Sequence, residues 1–192
     1  MIAVESEDFE IVELLLKAKG IDPNLGNKWH STVLIMEAIR GSAEMMERLL
    51  NAKDINVNLY DSHNRTALNV AVENEKFDIV ELLLEADGID PNLPDGEGVT
   101  PLMWAVDQGE TDIMRLLLDA DGIDPNLPDA EGVTPLMMAV GSRNFKMVEL
   151  LLTAKGINVN LPDNNQKTAL DYAEDDSIKE MLLKHPSAAL SS

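Results

Sequence analysis

Five threonines recur at a constant spacing of 34 residues: Thr32, Thr66, Thr100, Thr134 and Thr168. The sequence around them repeats as well, because residues 88–95 are identical to 122–129 and residues 99–103 are identical to 133–137. A fixed period of this length is typical of repeat architectures, in which each unit buries its apolar face only against its neighbours. Function is therefore expected on the surface that the stacked units share.

The clearest unit runs from Thr100 to Val133 and predicts two helices followed by a loop. Thr100 is placed to cap the first helix, with a proline at its first position. Gly109 is placed to end that helix in the left-handed conformation. A strongly apolar second helix follows and stops before Gly122, after which the prolines of residues 124–128 predict an extended loop.

The repeated sequences resemble the ankyrin repeat family over nearly the whole chain. TPLMMAV at 134–140, MVELLL at 147–152 and the Asp-x-Asn loop follow that family's order and spacing. The family's histidine after Thr-Pro-Leu is replaced by Asn69, Met103, Met137 and Asp171. The resemblance implies an all-α solenoid of stacked antiparallel helix pairs with β-hairpin-like finger loops. It also implies protein binding through the fingers and the concave face of the inner helices.

The repeats predict one domain over residues 1–185, with a disordered tail over 186–192. Within it, a partial repeat covers 1–31, repeats start near 32, 66, 100 and 134, and a shorter, more charged cap covers 168–185. Methionines at helical spacing are expected in the core, because Met fills gaps between stacked helices.

Composition narrows the classes of partner. The net charge of −20 disfavours nucleic acid and anionic membranes, and it favours either a basic protein partner or simple solubility. The chain has no cysteine, which excludes disulfides and thiolate metal sites and is compatible with a reducing compartment. No signal peptide or membrane-spanning run is recognised, so a cytoplasmic location is expected, with the nucleus as an alternative.

The N-terminal repeat breaks the pattern, because it begins inside its first helix. Ile11, Leu14 and Leu15 therefore lack part of the covering that later repeats receive. Three interpretations remain open: Met1 and Ile2 fold over these side chains, the sequence is cut at this point from a longer chain, or the apolar end mediates self-association as a homodimer. A monomer is the first expectation.

A second break lies between Gly26 and Gly41. At strict spacing Glu37 would occupy a small buried position, where an unpaired carboxylate is costly. Three other repeats hold alanine there: Ala71, Ala105 and Ala139. Shifting the segment by one residue places Ala38 in this position and makes Ile39 equivalent to a buried valine. We therefore expect a first finger that is one residue longer and a shorter turn before Gly41.

Catalytic chemistry is not predicted, and neither is a cofactor or a metal. His30 and His63 lie on successive fingers near Asp61, but two histidines on loops do not make a zinc ligand set. The recurring aspartates of the fingers are expected to fix each turn through Asx hydrogen bonds rather than to bind calcium. The recurring Asn24, Asn58, Asn92, Asn126 and Asn160 are expected to satisfy loop backbone, although family members can be hydroxylated at such positions.

The predicted binding residues are those that face outward on fingers and inner helices and differ between repeats. They are Lys28, Trp29, His30, Arg40, Tyr60, Ser62, His63, Arg65, Glu73, Asn74, Glu97, Val99, Asp107, Gln108 and Val133. Tryptophan, tyrosine and arginine dominate interface energies, so the first two fingers are the best candidates. The sequence thus predicts a non-enzymatic scaffold for another protein. A self-assembling or engineered scaffold and an array cut from a larger protein remain alternatives.

Overall fold

The structure is a computed structural model that describes Ser6 and residues 8–190. In this part of the chain every regular secondary-structure element is a helix, and loops connect the helices. Contacts divide the chain into two compact units, residues 1–96 and 97–192. The helices of unit 1 are α1 (Phe9–Lys17), α2 (Val33–Arg40), α3 (Ala43–Leu50), α4 (Ala67–Glu73) and α5 (Phe77–Leu84). Within unit 1, α2 packs on α4 and α3 packs on α5, which makes two layers of helices.

Unit 2 repeats this arrangement. Its helices are α6 (Pro101–Gln108), α7 (Thr111–Asp119), α8 (Pro135–Gly141), α9 (Phe145–Leu152), α10 (Ala169–Tyr172) and α11 (Asp176–Lys184). Within unit 2, α6 packs on α8 and α8 on α10, while α7 packs on α9 and α9 on α11. The all-helical fold class predicted from the sequence is confirmed.

The first four recurring threonines begin the first helix of their pairs, because their hydroxyl oxygens accept backbone hydrogen bonds that the helix start leaves unpaired. Thr100 Oγ1 accepts from the Met103 N–H at 3.3 Å, and Gly109 ends the helix with φ +76° as predicted. Asn69, which stands in place of the family's histidine, connects the start of α4 to neighbouring backbone, since its Oδ1 accepts from the Thr66 N–H and its Nδ2 donates to the Leu93 carbonyl.

Within each unit, recurring asparagines tie one loop to the next. Asn58 Nδ2 donates to the Gly88 carbonyl at 2.8 Å, and Asn58 Oδ1 accepts from the Asp90 N–H at 3.0 Å. One side chain therefore satisfies two backbone groups of the following repeat. The same pair of hydrogen bonds is made by Asn24 and Asn126. The predicted backbone role of these asparagines is confirmed at these three positions.

The first, second, fourth and fifth fingers are five-residue turns, and the side chain of the first residue holds each of them. Asp61 Oδ1 accepts from the N–H groups of His63 and Arg65 at 2.8 and 3.0 Å, and the Asp61 N–H donates to the Arg65 carbonyl. Asn27, Asp129 and Asp163 accept the equivalent pairs of hydrogen bonds. The expected Asx turns are therefore present at Asp61, Asp129 and Asp163.

The second finger carries an additional ion-pair network. Arg65 Nη2 donates to Asp61 Oδ2 at 2.9 Å, and Arg65 Nη1 donates to Glu73 Oε2 at 2.8 Å. Burial of Asp61 opposes its ionisation, but hydrogen bonds from Arg65 and from the His63 N–H outweigh burial and lower the pKa of Asp61. Burial likewise opposes the charge of Arg65, whereas Asp61 and Glu73 raise its pKa overall.

The one-residue shift expected between Gly26 and Gly41 is wrong. The first finger has the same length as the second, with hydrogen bonds from the Asn27 N–H to the Ser31 carbonyl and from the His30 N–H to the Asn27 carbonyl. Gly41 and Glu75, which are 34 residues apart, both have positive φ at the turn between the helices of a pair. The strict spacing therefore holds through the whole segment.

Glu37 consequently lies in the alanine position and is completely buried, while Ala38 is also buried. The Ser42 N–H donates to Glu37 Oε1 at 2.9 Å, and Arg40 Nη1 lies 3.9 Å from Glu37 Oε2. In the next repeat the equivalent N–H, that of Lys76, donates to a backbone carbonyl instead. Local partners thus offset the desolvation cost that made this register look unfavourable.

The core is built from aliphatic side chains and methionine, as expected. The fully buried methionines are Met45, Met46, Met103, Met114, Met137 and Met147, and Met138 is half-buried. At the N-terminal end Ile11, Leu14 and Leu15 are exposed. The proposed covering by Met1 and Ile2 lies outside the described residues.

The C-terminal segment differs from the disordered tail expected from residue 186. Residues Pro186–Leu190 form a 3-10 helix. Ser187 takes the place of a further repeat, because its carbonyl accepts from Asn160 Nδ2 at 2.6 Å and its hydroxyl accepts from the Val159 N–H at 3.3 Å. His185 Nδ1 lies 2.8 Å from the same hydroxyl. These hydrogen bonds attach the segment to the last loop.

Replacing Asp61 by asparagine tests the ion-pair network. Asn27 shows that asparagine can keep the turn, so Asp61→Asn removes mainly the charge beside Arg65. The lowered pKa means that ionised Asp61 stabilises the fold above its unfolded pKa, and that this contribution is lost as the pH falls through the folded value. We expect Asp61→Asn to lower the free energy of unfolding by about 1–3 kcal/mol at neutral pH.

The measurement is urea denaturation followed by circular dichroism at neutral pH and at about pH 3, below the unfolded pKa of aspartate. The difference from wild type should shrink at the acid pH. Asp129→Asn is the control, because Val133 replaces the arginine at the end of that finger. A difference for Asp61→Asn that is equal at both pH values would contradict the role given to the charge.

Candidate protein-binding surface

The tips of the first two fingers form one exposed surface in unit 1. We call Lys28, Trp29, His30, Ser62 and His63 the finger surface, and all five residues are exposed. The turns beneath them are held by Asn27, by Asp61 and by backbone hydrogen bonds. The side chains of the finger surface are therefore not required for the turns and are available for contact with another molecule.

Trp29 is the largest apolar group of this surface, and 54% of its area is exposed. The Nζ atom of Lys28 lies 4.0 Å from the centre of its ring, a cation–π arrangement. This contact favours one position of the exposed ring while leaving much of it in water. An exposed and positioned tryptophan is the kind of side chain that contributes most to protein interfaces.

A backbone hydrogen bond joins the two fingers. The Ser62 N–H donates to the Trp29 carbonyl at 2.9 Å, and Gly96 connects to the second finger in the same way through the His63 carbonyl. Gly26 allows the first finger to turn tightly, since a Cβ there would lie 2.6 Å from the His30 carbonyl group. These connections fix the finger backbones relative to one another before any partner arrives.

Tyr60 stands beside the second finger and is exposed. Burial of its hydroxyl and the nearby charge of Asp90 raise the pKa of Tyr60. The phenol therefore stays protonated at neutral pH and can donate a hydrogen bond to a partner. Its position next to Asp61 adds a second aromatic side chain to the region of the finger surface.

Three residues predicted for binding, Arg65, Glu73 and Asn74, also make hydrogen bonds that stabilise the fold. Arg65 is half-buried between Asp61 and Glu73, so it stabilises the second finger and α4. Asn74 donates its Nδ2–H to the Val70 carbonyl at the end of α4. Substitution of Arg65 is therefore expected to change stability as well as binding, which makes it a poor probe of the surface.

Arg40, at the end of α2, is exposed and lies near Glu37, as described above. Ile39 beside it is a binding candidate that the sequence reasoning missed. It is 52% exposed, although the shifted register expected it in the core. The strict spacing gave the correct signal, because it aligns Ile39 with Glu73 and Asp107, which are both outward-facing positions.

The predicted binding residues of unit 2 differ in their exposure to solvent. Glu97 and Asp107 are exposed, whereas Val99, Gln108 and Val133 are half-buried. Val133 closes its finger, since its N–H donates to Asp129 Oδ1 at 2.8 Å and its carbonyl accepts from the Asp129 N–H. The valines therefore lie at the base of their fingers and are not apolar tips. Unit 2 offers no exposed aromatic on the described finger tips that would match Trp29.

The described residues contain no group of three histidine, aspartate or glutamate side chains suited to a metal ion. His63 Nδ1 lies 3.9 Å from Asp61 Oδ2, but Asp61 is already engaged by Arg65. Among the helices between residues 6 and 190, none has both the length and the apolar character needed to cross a bilayer.

Comparison with protein families finds the model of ankyrin repeats (3 copies), which matches residues 1–95 and 102–189. A comparison with proteins of curated function finds no match. Among solved structures, the ankyrin repeat domain of Bcl-3, a member of the IkappaB protein family, is similar with a TM-score of 0.85. It is 27% identical over 94% of this chain and 79% of that chain.

The ankyrin repeat protein EF0377 has the same fold, with a TM-score of 0.82 and 24% identity over 95% of both chains. Ankyrin repeats generally act as protein–protein interaction modules without enzymatic activity. The repeated sequence, the helix pairs and the match over most of its length together show that this chain belongs to the ankyrin repeat family.

Proposed function

We propose that this chain is a non-enzymatic scaffold that binds another protein through the finger surface of unit 1, together with Tyr60 and the exposed end of α2. We propose a cytoplasmic location for it, in keeping with the absence of cysteine. The observation that carries the proposal is Trp29, which is exposed, positioned by Lys28 and unnecessary for the turn on which it stands.

The binding mechanism is preorganisation. Asn27, Asp61 and the hydrogen bond between Ser62 and Trp29 hold the backbone of both fingers in the free protein. Association then costs little ordering of loops, so more of the contact energy remains as affinity. Ile39 supports the same proposal, because it adds exposed apolar area on α2, where most repeats hold a polar or small residue.

The charges of the finger surface differ from those of the whole chain. Lys28 and two histidines stand here, whereas the protein carries a net charge of −20. The overall charge speeds the approach of a basic protein at low salt. The partner surface that best complements Trp29, Lys28 and the Tyr60 hydroxyl is an apolar patch that also offers hydrogen-bond acceptors.

Self-association through α1 is a second candidate function. Ile11, Leu14 and Leu15 are exposed on this helix, and Leu14 is 70% exposed. Exposed apolar side chains on one helix favour contact with another apolar surface, and a second copy of the chain supplies the same surface in a symmetric dimer. A scaffold whose partner is itself, natural or engineered, would use this face.

Trp29→Ala tests the main proposal. Proteins or peptides selected for binding to the wild-type chain should lose about tenfold or more in affinity for Trp29→Ala, because a central tryptophan contributes 2 kcal/mol or more at a hot spot. Phe145→Ala is the matched control, since Phe145 is an aromatic with 44% exposure that stands at the start of α9 in unit 2.

The readout is the dissociation constant of each selected binder for the three chains, with thermal unfolding as a check on folding. Trp29→Ala should leave the melting temperature close to that of wild type. Binders that tolerate Trp29→Ala while losing affinity for Phe145→Ala would place the interface elsewhere and overturn the proposal.

Leu14→Glu tests self-association. If α1 mediates a dimer, wild type has the mass of a dimer in light scattering after size exclusion at both low and high salt, and Leu14→Glu returns it to a monomer. The substitution should not unfold the chain, because Leu14 has little buried area to lose. A monomeric wild type at both salt concentrations would exclude this candidate at the concentration used.

A further inference from the structure

A groove lies in unit 1 between the C-terminal ends of α3 and α5, and its lining includes none of the finger surface. Its volume is about 460 Å³. Leu50, Ile55, Val57 and Leu82 line its floor, and all are buried or half-buried. A groove of this size and character can take an apolar side chain and the neighbouring backbone of a bound peptide.

The rim of this groove is acidic. Glu47, Asp54, Glu85 and Asp87 stand around the apolar floor, and all four are exposed. Within the described part of the chain, no lysine or arginine pairs with Glu47, Glu85 or Asp87, while Asp54 has only the exposed Lys53 at 4.0 Å. Most of the negative charge at the rim is therefore not neutralised by the protein itself.

The equivalent groove one repeat earlier, between α1 and α3, has the opposite character. Lys17, Arg48 and Lys53 line it, and Arg48 pairs with Glu13. In the groove between α3 and α5, the residues 34 positions further along, which are equivalent to Arg48 and Lys53, are Leu82 and Asp87. The change from one groove to the next thus enlarges the apolar floor and replaces a positive rim charge by a negative one.

A third groove, between α7 and α9 of unit 2, carries Lys155 at the position equivalent to Asp87. Of these three grooves, the one between α3 and α5 alone has a lining that contains acidic and no basic side chains. Its charge therefore does not follow from the fold, because the same backbone holds lysine at this position in two other repeats.

We propose that the groove between α3 and α5 binds a basic segment of a partner protein in which an apolar side chain is flanked by lysine or arginine. The apolar side chain lies on Leu50 and Leu82, and the flanking cations face Glu47, Glu85 and Asp87. Charge complementarity favours this occupant, because the rim repels nucleic acid and anionic membrane. A peptide should bind more tightly than a simple cation, because its apolar side chain is buried on the floor of the groove.

Two labelled synthetic peptides are the probes. In one, a central leucine is flanked on each side by two lysines, and in the other the leucine is replaced by glycine. Fluorescence anisotropy with the full chain should show the leucine peptide binding about tenfold more tightly than the glycine peptide, the effect of burying one leucine side chain. Chemical shifts in NMR should change at residues 50–57 and 82–87.

Asp87→Lys should weaken binding of the leucine peptide about tenfold, because it gives this groove the lysine that the other two grooves carry at the equivalent position. Asp121→Lys is the matched control. Asp121 is an exposed residue at the equivalent turn, before Gly122 in unit 2. Its replacement by lysine therefore changes the net charge by the same amount as Asp87→Lys. Affinity for Asp121→Lys should stay within about twofold of wild type. Trp29→Ala should bind the peptide normally, which separates this site from the finger surface.

Three outcomes would overturn the proposal. Equal losses for Asp87→Lys and Asp121→Lys would show attraction by the net charge alone. Equal binding of the leucine and glycine peptides would show that the apolar floor is not used. Displacement of the leucine peptide by calcium or spermine at concentrations comparable to its own would assign the groove to a small cation.

Discussion

The amide side chain of a recurring loop asparagine is the interaction on which the rest of this structure depends. This interaction is made by Asn24, Asn58 and Asn126. In each case the side-chain Nδ2 donates to a carbonyl of the following loop and the Oδ1 of the same side chain accepts from an N–H of that loop. Asn24 makes both hydrogen bonds across the segment between Gly26 and Gly41, so the spacing of 34 residues holds even where the apolar pattern is disturbed.

This strict spacing separates the residues that fold the chain from those that are free to vary. The first residue of each finger holds the turn, the fourth adopts positive φ, and the side chains between them point away from the packed helices. Trp29 and Lys28 occupy such free positions. The same reasoning applies to the groove between α3 and α5, because its acidic rim is formed by residues of two successive repeats, including positions where other repeats carry lysine or arginine.

Residues that recur at one spacing could be assigned correctly from the sequence, because they perform the same local hydrogen bonding in every repeat. Glu37 could not, since its cost of burial depends on the Ser42 N–H and Arg40, whose positions follow only from the folded turn. That error also hid the exposed Ile39. Arg65 looked free on a finger, but its long side chain reaches back to Glu73 on α4. Ser187 fixes the C-terminal segment through hydrogen bonds that leave no periodic signal.

Exchanging one finger tests the central claim most directly. The variant Lys28→Ala, Trp29→Glu, His30→Gly gives the first finger the tip of the fourth, residues 130–132. Urea denaturation should show a free energy of unfolding within about 1 kcal/mol of wild type, because the exchanged side chains do not hold the turn. The same variant should lose binding to partners selected on wild type. An unfolded variant, or a folded one that binds as before, would contradict the separation of fold from function proposed for this surface.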